Sequence, residues 1–258
     1  MKLTSANYFS TRANREYFSV SQWKSFKKCP NMALAEIRGK YVREETTSLL
    51  VGSYVDAYFD NELELFKATH PALFKKDGSL KAEYIQAEQI IERIKRDRLM
   101  MKYLAGGERQ VIMTGQIEGV PVKVKIDTLH PDKIVDGKIV KDFAPIYVED
   151  KGRLMWWEAW NYDTQGAVYQ EIVYQNTGKR LPFFLAPATK EKVTDIDILH
   201  IEQSHLDFAM DEFKRDIIGF DAVKKGIVKP DRCESCDWCK ETKKLKAPTS
   251  SMEVMWNG

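Results

Sequence analysis

Two groups of residues in this 258-residue chain have the types and spacing of chemical sites. The first lies in the stretch KVKIDTLHPDKIVDGK, residues 123–138. Val122, Val124 and Ile126 alternate with Lys123, Lys125 and Asp127, the period of a β-strand, and a His130-Pro131-Asp132-Lys133 turn leads into a second strand over 133–141. If the hairpin is centred on Pro131 and Asp132, paired residue numbers sum to 263 and Asp127 falls directly opposite Asp136. Directly opposed side chains stand ~5 Å apart at Cβ, and like charges there repel unless a cation lies between them. Lys138, two residues beyond Asp136, points from the same face. Two hard oxygen ligands suited to Mg²⁺ or Mn²⁺ beside one ammonium is a constellation for phosphodiester hydrolysis: the metal binds the phosphate and the attacking water, and the lysine orients that water. A shift of register at Pro131 would separate the pair. Acid-x-Lys tripeptides are common in so charged a chain, and Glu149-Asp150-Lys151 is a competing one. Gly137, between the acid and the lysine, is unusual in a strand and is expected to admit a close approach of backbone or DNA.

The second group is Cys233-Glu-Ser-Cys236-Asp-Trp-Cys239, a Cys-x2-Cys-x2-Cys run, with a fourth cysteine at Cys29 followed by Pro30. Four thiolates suit a [4Fe–4S] cluster or tetrahedral zinc, and the tight run is closer to the ferredoxin pattern than to paired zinc knuckles. Either would close a very long loop and stabilise the fold rather than take part in hydrolysis.

The elements that must hold these residues follow from hydrophobic period. Helical spacing predicts one or two short helices over 19–39 with Pro30 opening a fresh first turn, a helical stretch over 44–66 and another over 80–104 that stops at Gly106-Gly107. After Gly107 the period becomes 2 and a meander of three strands is expected, then a long helix over 156–176 closed by Gly178. Strands over 181–188 and 195–202 and a helix over 204–226 complete the expected elements. The predicted organisation is a helical N-terminal part contributing to the core over 1–106, an α/β core with the cysteine run over 107–240, and a loosely held tail over 241–258.

Composition narrows the function classes. Forty Lys+Arg against 38 Asp+Glu leave a formal charge of +2, which excludes nucleic-acid binding by bulk polycationic charge and requires local clustering. Lys123, Lys125, Lys133, Lys138 and Lys141 supply such a cluster on the hairpin, and Arg153, Trp156, Trp157 and Trp160 supply a cation and stacking surfaces near the long helix. At least one of the three tryptophans is needed for the core. The longest strongly apolar run, Leu181 to Ala188, contains two prolines and is far short of the ~18 residues of a membrane span. The N-terminal residues lack the pattern of a secretory signal, so a cytosolic protein and no membrane partner are expected. The four histidines show no metal spacing, and no Gly-rich phosphate loop or Ser/His/Asp nucleophile context is present.

Asp127, Asp136-Gly-Lys138 and Gln165-Gly-Ala-Val-Tyr169 on the following helix resemble the PD-(D/E)xK nuclease signature in its RecB-like form, in which that helix carries a Gln-x-x-x-Tyr motif. The segment WWEAWNYDTQGAVYQEIV is similar to phage and prophage RecE-like exonucleases (exodeoxyribonuclease VIII type), and the likeness spans roughly residues 20–240. The resemblance implies a restriction-endonuclease-like core, a mixed central sheet flanked by helices, and metal-dependent hydrolysis of linear duplex DNA. Asp127 and Asp136 would be the principal metal ligands, Lys138 would orient the water, and Gln165 and Tyr169 would position the phosphate. RecB-like nucleases usually carry a histidine ligand on an N-terminal helix after a glycine, and Gly52-Ser-Tyr-Val-Asp56 holds that place here, so Asp56 is a candidate ligand. The Cys-Pro and the distant cysteine trio resemble the iron–sulfur staple of AddB-type nucleases, with a shorter last gap. The likeness further implies a homo-oligomer and a single-strand annealing partner in phage recombination. A rival reading is a non-catalytic DNA-binding module whose four cysteines hold a structural metal.

Overall fold

The computed structural model describes residues 1–149, 151–245, 247–248 and 250. Its elements run α1 (Thr11–Glu16), α2 (Val20–Lys28), α3 (Pro30–Ile37), α4 (Thr47–Phe59), α5 (Leu63–Thr69), α6 (Ala82–Lys95), α7 (Arg98–Ala105), β1 (Glu108–Ile117), β2 (Val120–Leu129) and β3 (Ile134–Val140). There follow β4 (Ile146–Val148), β5 (Gly152–Leu154), α8 (Trp156–Ala159), α9 (Tyr162–Thr177), β6 (Phe183–Thr189), β7 (Leu199–Ile201), α10 (Gln203–Lys224) and α11 (Asp237–Glu241).

Local chemistry places the boundaries. Ser19 caps α2 by accepting from the Gln22 amide, and Cys29 ends that helix and caps the next, with Pro30 at its first position. Of the four longer helices expected from periodicity, three are two helices each here, and the one expected over 204–226 is the single helix α10. Asp97 starts α7 as an N-cap, while Asn61 (φ 59°) and Asn161 (φ 53°) turn the chain between α4 and α5 and between α8 and α9. Asparagine tolerates the left-handed region better than most residues, and hydrophobic spacing does not register such a turn. Gly178, also left-handed, closes α9 as expected.

The main sheet has the order β1-β2-β3-β6-β7. β3 and β6 are parallel, and the other neighbours are antiparallel. One face packs under α2, α3, α9 and α10, through Val122, Val124, Ile126, Ile134, Phe183 and Leu185. The other packs under α4, α6 and α7, through Val135, Ala186 and Ala188. Helices of the first hundred residues therefore cover both faces of the sheet. The short hairpin β4–β5 stands apart from it and was not expected. The last helix, Asp237–Glu241, ends at the first residue of the expected tail, and residues 246, 249 and 251–258 of that tail lie outside the described residues.

Two departures from regular pairing shape the site. β2 and β3 share only two rungs, Thr128↔Val135 and Leu129↔Ile134, and both obey the register summing to 263. The next rung would join Asp127 to Asp136, and there the strands part. The freed polar groups are satisfied by side chains: Asp127 Oδ2 accepts the Gly137 amide at 3.1 Å, and the Lys125 carbonyl accepts the Tyr169 hydroxyl at 3.0 Å. At the same level β1 and β2 change face. Val122, Val124 and Ile126 join the core under α9, whereas Thr128 donates to the Leu104 carbonyl of α7 at 2.7 Å. Gln110, opposite Asp127, has φ 54°, so the ribbon turns over through a strained residue beside the site.

Candidate active site

The parting of β2 and β3 opens a cleft of about 420 Å³ whose lining includes Lys24, Asp56, Lys125, Asp127, Gln165 and Tyr169. Asp136 lies wholly buried beneath it. Its Oδ1 accepts from Gln165 Nε2 at 2.8 Å, and the same amide nitrogen lies 3.1 Å from the Tyr169 hydroxyl. Its Oδ2 is wholly buried and in contact with the Lys138 ammonium as an ion pair. A carboxylate so far from water needs a charged partner. Gln165 and Tyr169 reach it because α9 lies directly on β6: Gly166 has no Cβ where one would collide with the ring of Phe183.

Electrostatics tie the remaining groups together. Burial, then the charge of Asp136, pushes the Asp127 carboxyl up to about 7. Enclosure in the cleft, then Asp127, does the same to Asp56, also to about 7, although part of Asp56 faces solvent. Burial by itself would lower the Lys138 pKa, but Asp136 and Asp127 hold it above its ordinary value. The carboxylates do not close on a common point as the cysteines do. One ammonium, Lys138, faces three acidic side chains, and a buried carboxylate beside two carboxyls that resist ionising is the donor set a divalent cation would satisfy. Asp127, Asp136 and Asp56 would hold it.

Four residues missed in the sequence complete the site. Arg109 donates to Asp60 Oδ1 at 2.6 Å, to Thr128 Oγ1 at 2.7 Å and to the Leu104 carbonyl at 2.8 Å, bracing β1 against α4 and α7. Gln110 Nε2 holds the other Asp60 oxygen at 2.7 Å. Tyr162, at the start of α9, places its ring 5.2 Å from Lys138 Nζ and 4.8 Å from Lys24 Nζ. Burial, then the charge of Lys138, lowers the Lys24 pKa to about 7. Arg109 sits in an alternating strand where only the apolar positions drew notice, and Lys24 shares a helix with core residues, so neither carried a motif.

Several expected contacts are placed elsewhere. Lys123 is 1% exposed, donates to Asn14 Oδ1 at 2.7 Å and to the Tyr8 carbonyl, and so is a packed cation rather than a free one. Trp156 is buried, stacked 5.6 Å from Phe143, and Trp157 meets His205 edge-on; Trp160 is the exposed one of the three. Lys125 does line the cleft, whereas Arg153 is exposed on β5, across from Tyr147. A Cβ added at Gly137 would lie 3.2 Å from Leu104 Cδ2, so the leucine end would have to give by a few tenths of an ångström. Glu149 and Lys151 are exposed at the turn of the separate hairpin. Asp150 lies outside the described residues.

The cysteine sulfurs all lie within 4.8 Å of one another. Cys29 Sγ is 3.6 Å from Cys239 Sγ and 3.8 Å from Cys236 Sγ. Four thiolates ~2.3 Å from one tetrahedral ion stand about 3.8 Å apart, so these separations fit zinc as they are. A four-iron cluster places each thiolate on a different iron, so all of these separations would have to widen. Met32, Tyr41 and Trp238 shield the group from solvent.

No curated protein is similar to the chain. A crystal structure described as a "putative exonuclease" from Eubacterium rectale is 45% identical, covers 98% of each chain and superposes with a TM-score of 0.95. Residues 19–242 match the family described as a PDDEXK-like domain of unknown function (DUF3799). A match over most of the chain, together with a mixed sheet that parts between two aspartates, establishes that the protein belongs to this PDDEXK-like family.

Proposed function

We propose that the protein is a Mg²⁺- or Mn²⁺-dependent exodeoxyribonuclease acting on the ends of linear duplex DNA. The observation that carries the reading is the buried Asp136 carboxylate, gripped by Gln165 on one oxygen and left to Lys138 on the other, with Asp127 across the strand gap. When bound, the divalent cation would supply Lewis-acid polarisation of the phosphate and of the attacking water. Lys138, kept charged by its two aspartates, hydrogen-bonds and orients that water. Gln165 holds Asp136 in one rotamer, and Tyr169 fixes the edge of β2 on which Asp127 stands. Lys125 brings positive charge to the cleft that receives the phosphate backbone, and Lys24 adds a hydrogen-bond donor beside it. The neighbour described as an exonuclease supports the reaction class. The likeness to RecE-type enzymes extends the proposal to a homo-oligomer working beside a single-strand annealing protein.

The test is degradation of linear duplex DNA by purified variants. Asp136→Asn and Lys138→Met should each lower the rate by about 10²–10⁴-fold with folding retained. Glu149→Ala should leave the rate unchanged, because Glu149 is exposed and outside the sheet. Undiminished degradation by a folded Asp136→Asn protein refutes the site. Wild-type binding of DNA with no hydrolysis at any metal concentration would favour the non-catalytic DNA-binding reading instead.

A further inference from the structure

Beyond the ring of Tyr162 lies a second open groove, of about 500 Å³, that the proposed reaction does not use. Its walls are Ser48 and Leu49 from the start of α4, Lys141 at the end of β3, Trp160 and Tyr162 at the α8–α9 break, and Lys190 after β6. Trp160 is 56% exposed, unlike Trp156 and Trp157, which fill the core. It is also held in place. Its amide bonds back to the Trp156 carbonyl at 3.2 Å, its own carbonyl accepts Lys24 Nζ at 2.7 Å, and the following Asn161 is locked left-handed. The backbone that carries this solvent-facing indole is therefore fixed at the edge of the groove. Leu49, 60% exposed, adds apolar surface along the same groove.

The charges in the groove are mostly positive. Lys141 is 91% exposed and only loosely paired with Asp142 at 3.5 Å, and Lys190 bonds Ser48. Lys141 lies three positions beyond Lys138, about 10 Å at the rise of a β-strand. Tyr162 links groove to cleft by contact: its ring lines the groove and stands 4.8 Å from Nζ of Lys24, which lines the cleft, and 5.2 Å from Lys138 Nζ. An exposed aromatic platform with cations at strand spacing is how proteins bind unpaired nucleotides, since every base has a stacking face and every nucleotide a phosphate.

We infer that this groove is a subsite for unpaired DNA, in which a base stacks on Trp160 while Lys141 and Lys190 contact the phosphates next to the one in the catalytic cleft. The inference rests on the proposed nuclease reading and deepens it: the enzyme would engage a frayed end, with one strand in the cleft and its unpaired continuation in the groove.

The test measures anisotropy of a labelled oligothymidylate and of a blunt duplex with the full chain in EDTA, alongside degradation of linear DNA in Mg²⁺. Trp160→Ala should weaken oligothymidylate binding by about 5- to 100-fold, the effect of losing one stacked base. Trp160→Phe should recover most of it, and duplex affinity should change by less than about twofold. Trp160 projects from a helix end, so its truncation leaves the core intact; an unchanged melting temperature checks this. A Trp160→Ala protein that binds oligothymidylate as wild type, while wild type degrades DNA, overturns the subsite and leaves the nuclease reading standing. Trp160-dependent binding without degradation keeps the subsite and removes the nuclease reading. Wild type that neither binds nor degrades overturns both. A Trp160→Ala effect confined to sedimentation assigns the face to a second copy of the chain and also overturns the subsite.

Discussion

The grip of Gln165 on Asp136 depends on how closely α9 approaches the sheet, and Gly166→Ala tests that dependence. A Cβ at position 166 would stand 2.6 Å from Phe183 Cε1 and 2.7 Å from Cγ, with Cδ1 closer still. Carbon atoms settle at about 3.5 Å or more, so the helix must withdraw by roughly 1.2 Å or the ring must leave its rotamer. Phe183 is fully buried and has no free space to enter. A withdrawal of that size stretches the Gln165–Asp136 bond from 2.8 Å to beyond hydrogen-bonding range. Overpacking costs about 1–3 kcal/mol, and exchanging glycine for alanine in a helix returns about 1 kcal/mol. The buried acceptor left unpaired costs a further 1–3 kcal/mol or so. The net expectation is a loss of about 1–5 kcal/mol in urea denaturation. Activity on linear DNA should fall more steeply, by about 10²-fold, because displacing a positioning group by 1 Å weakens the reaction by that order. Adding Phe183→Leu should restore part of both quantities by making room for the new methyl. A Gly166→Ala protein as stable and as active as wild type would refute the idea that this close approach sets the geometry of the site.

Three further outcomes follow from the described residues. Asp56 and Asp127 have folded pKa values near 7, above their ordinary 3.8, so the native state binds protons that the unfolded chain has released between those limits. The melting temperature of the metal-free protein should therefore decline as pH rises from about 4 to 7, Mg²⁺ should oppose that decline, and Asp127→Asn should raise metal-free stability at pH 8; a pH-independent melting curve contradicts this. Purified protein should carry about one metal centre per chain at the cysteines, measured by elemental analysis, with absorption near 400 nm if the centre is iron–sulfur and none if it is zinc. Cys239→Ser should then lower stability while a folded fraction keeps its rate on DNA. Lys123→Met should reduce stability, through the unpaired Asn14 and Tyr8 carbonyl, and leave the salt dependence of DNA binding unchanged, since Lys123 is buried.

What could be read from the chain was whatever short-range pattern determines. The VKVKID alternation and the Pro-Asp turn place Asp127 and Asp136 in a register the two β2–β3 rungs obey, because turn geometry and pleat are local. Cys29-Pro30 marks a helix boundary for the same reason. The helix breaks escaped because a single left-handed asparagine turns the chain without disturbing the hydrophobic period. Lys123 was misplaced on different grounds. Alternation puts it on the face away from Val122 and Val124, but nothing local reveals that residues 8–14 return to cover that face. Which of three neighbouring tryptophans stays outside likewise depends on the α8–α9 turn and not on helical spacing.

The parting of β2 and β3 explains why the legible and illegible parts meet at the site. A regular ladder would have closed over Asp127 and Asp136, pairing their backbones and leaving two carboxylates crowded on one face. In this chain the ladder stops one rung earlier, and the groups it would have paired are taken by Asp127 and Tyr169 side chains. That substitution requires an acceptor at 127 and a hydroxyl at 169, so each of these residues has a structural duty beside any chemical one. Asp127→Asn keeps an acceptor oxygen for the Gly137 amide and should fold, whereas Asp127→Leu leaves that amide unpaired in a half-buried gap and should lose stability by about 1–3 kcal/mol more. Comparing the two by denaturation separates the strand-end role of the carboxylate from its charge. If Asp127→Leu proves as stable as Asp127→Asn, water satisfies the gap, and the aspartate stands at that rung for its negative charge alone.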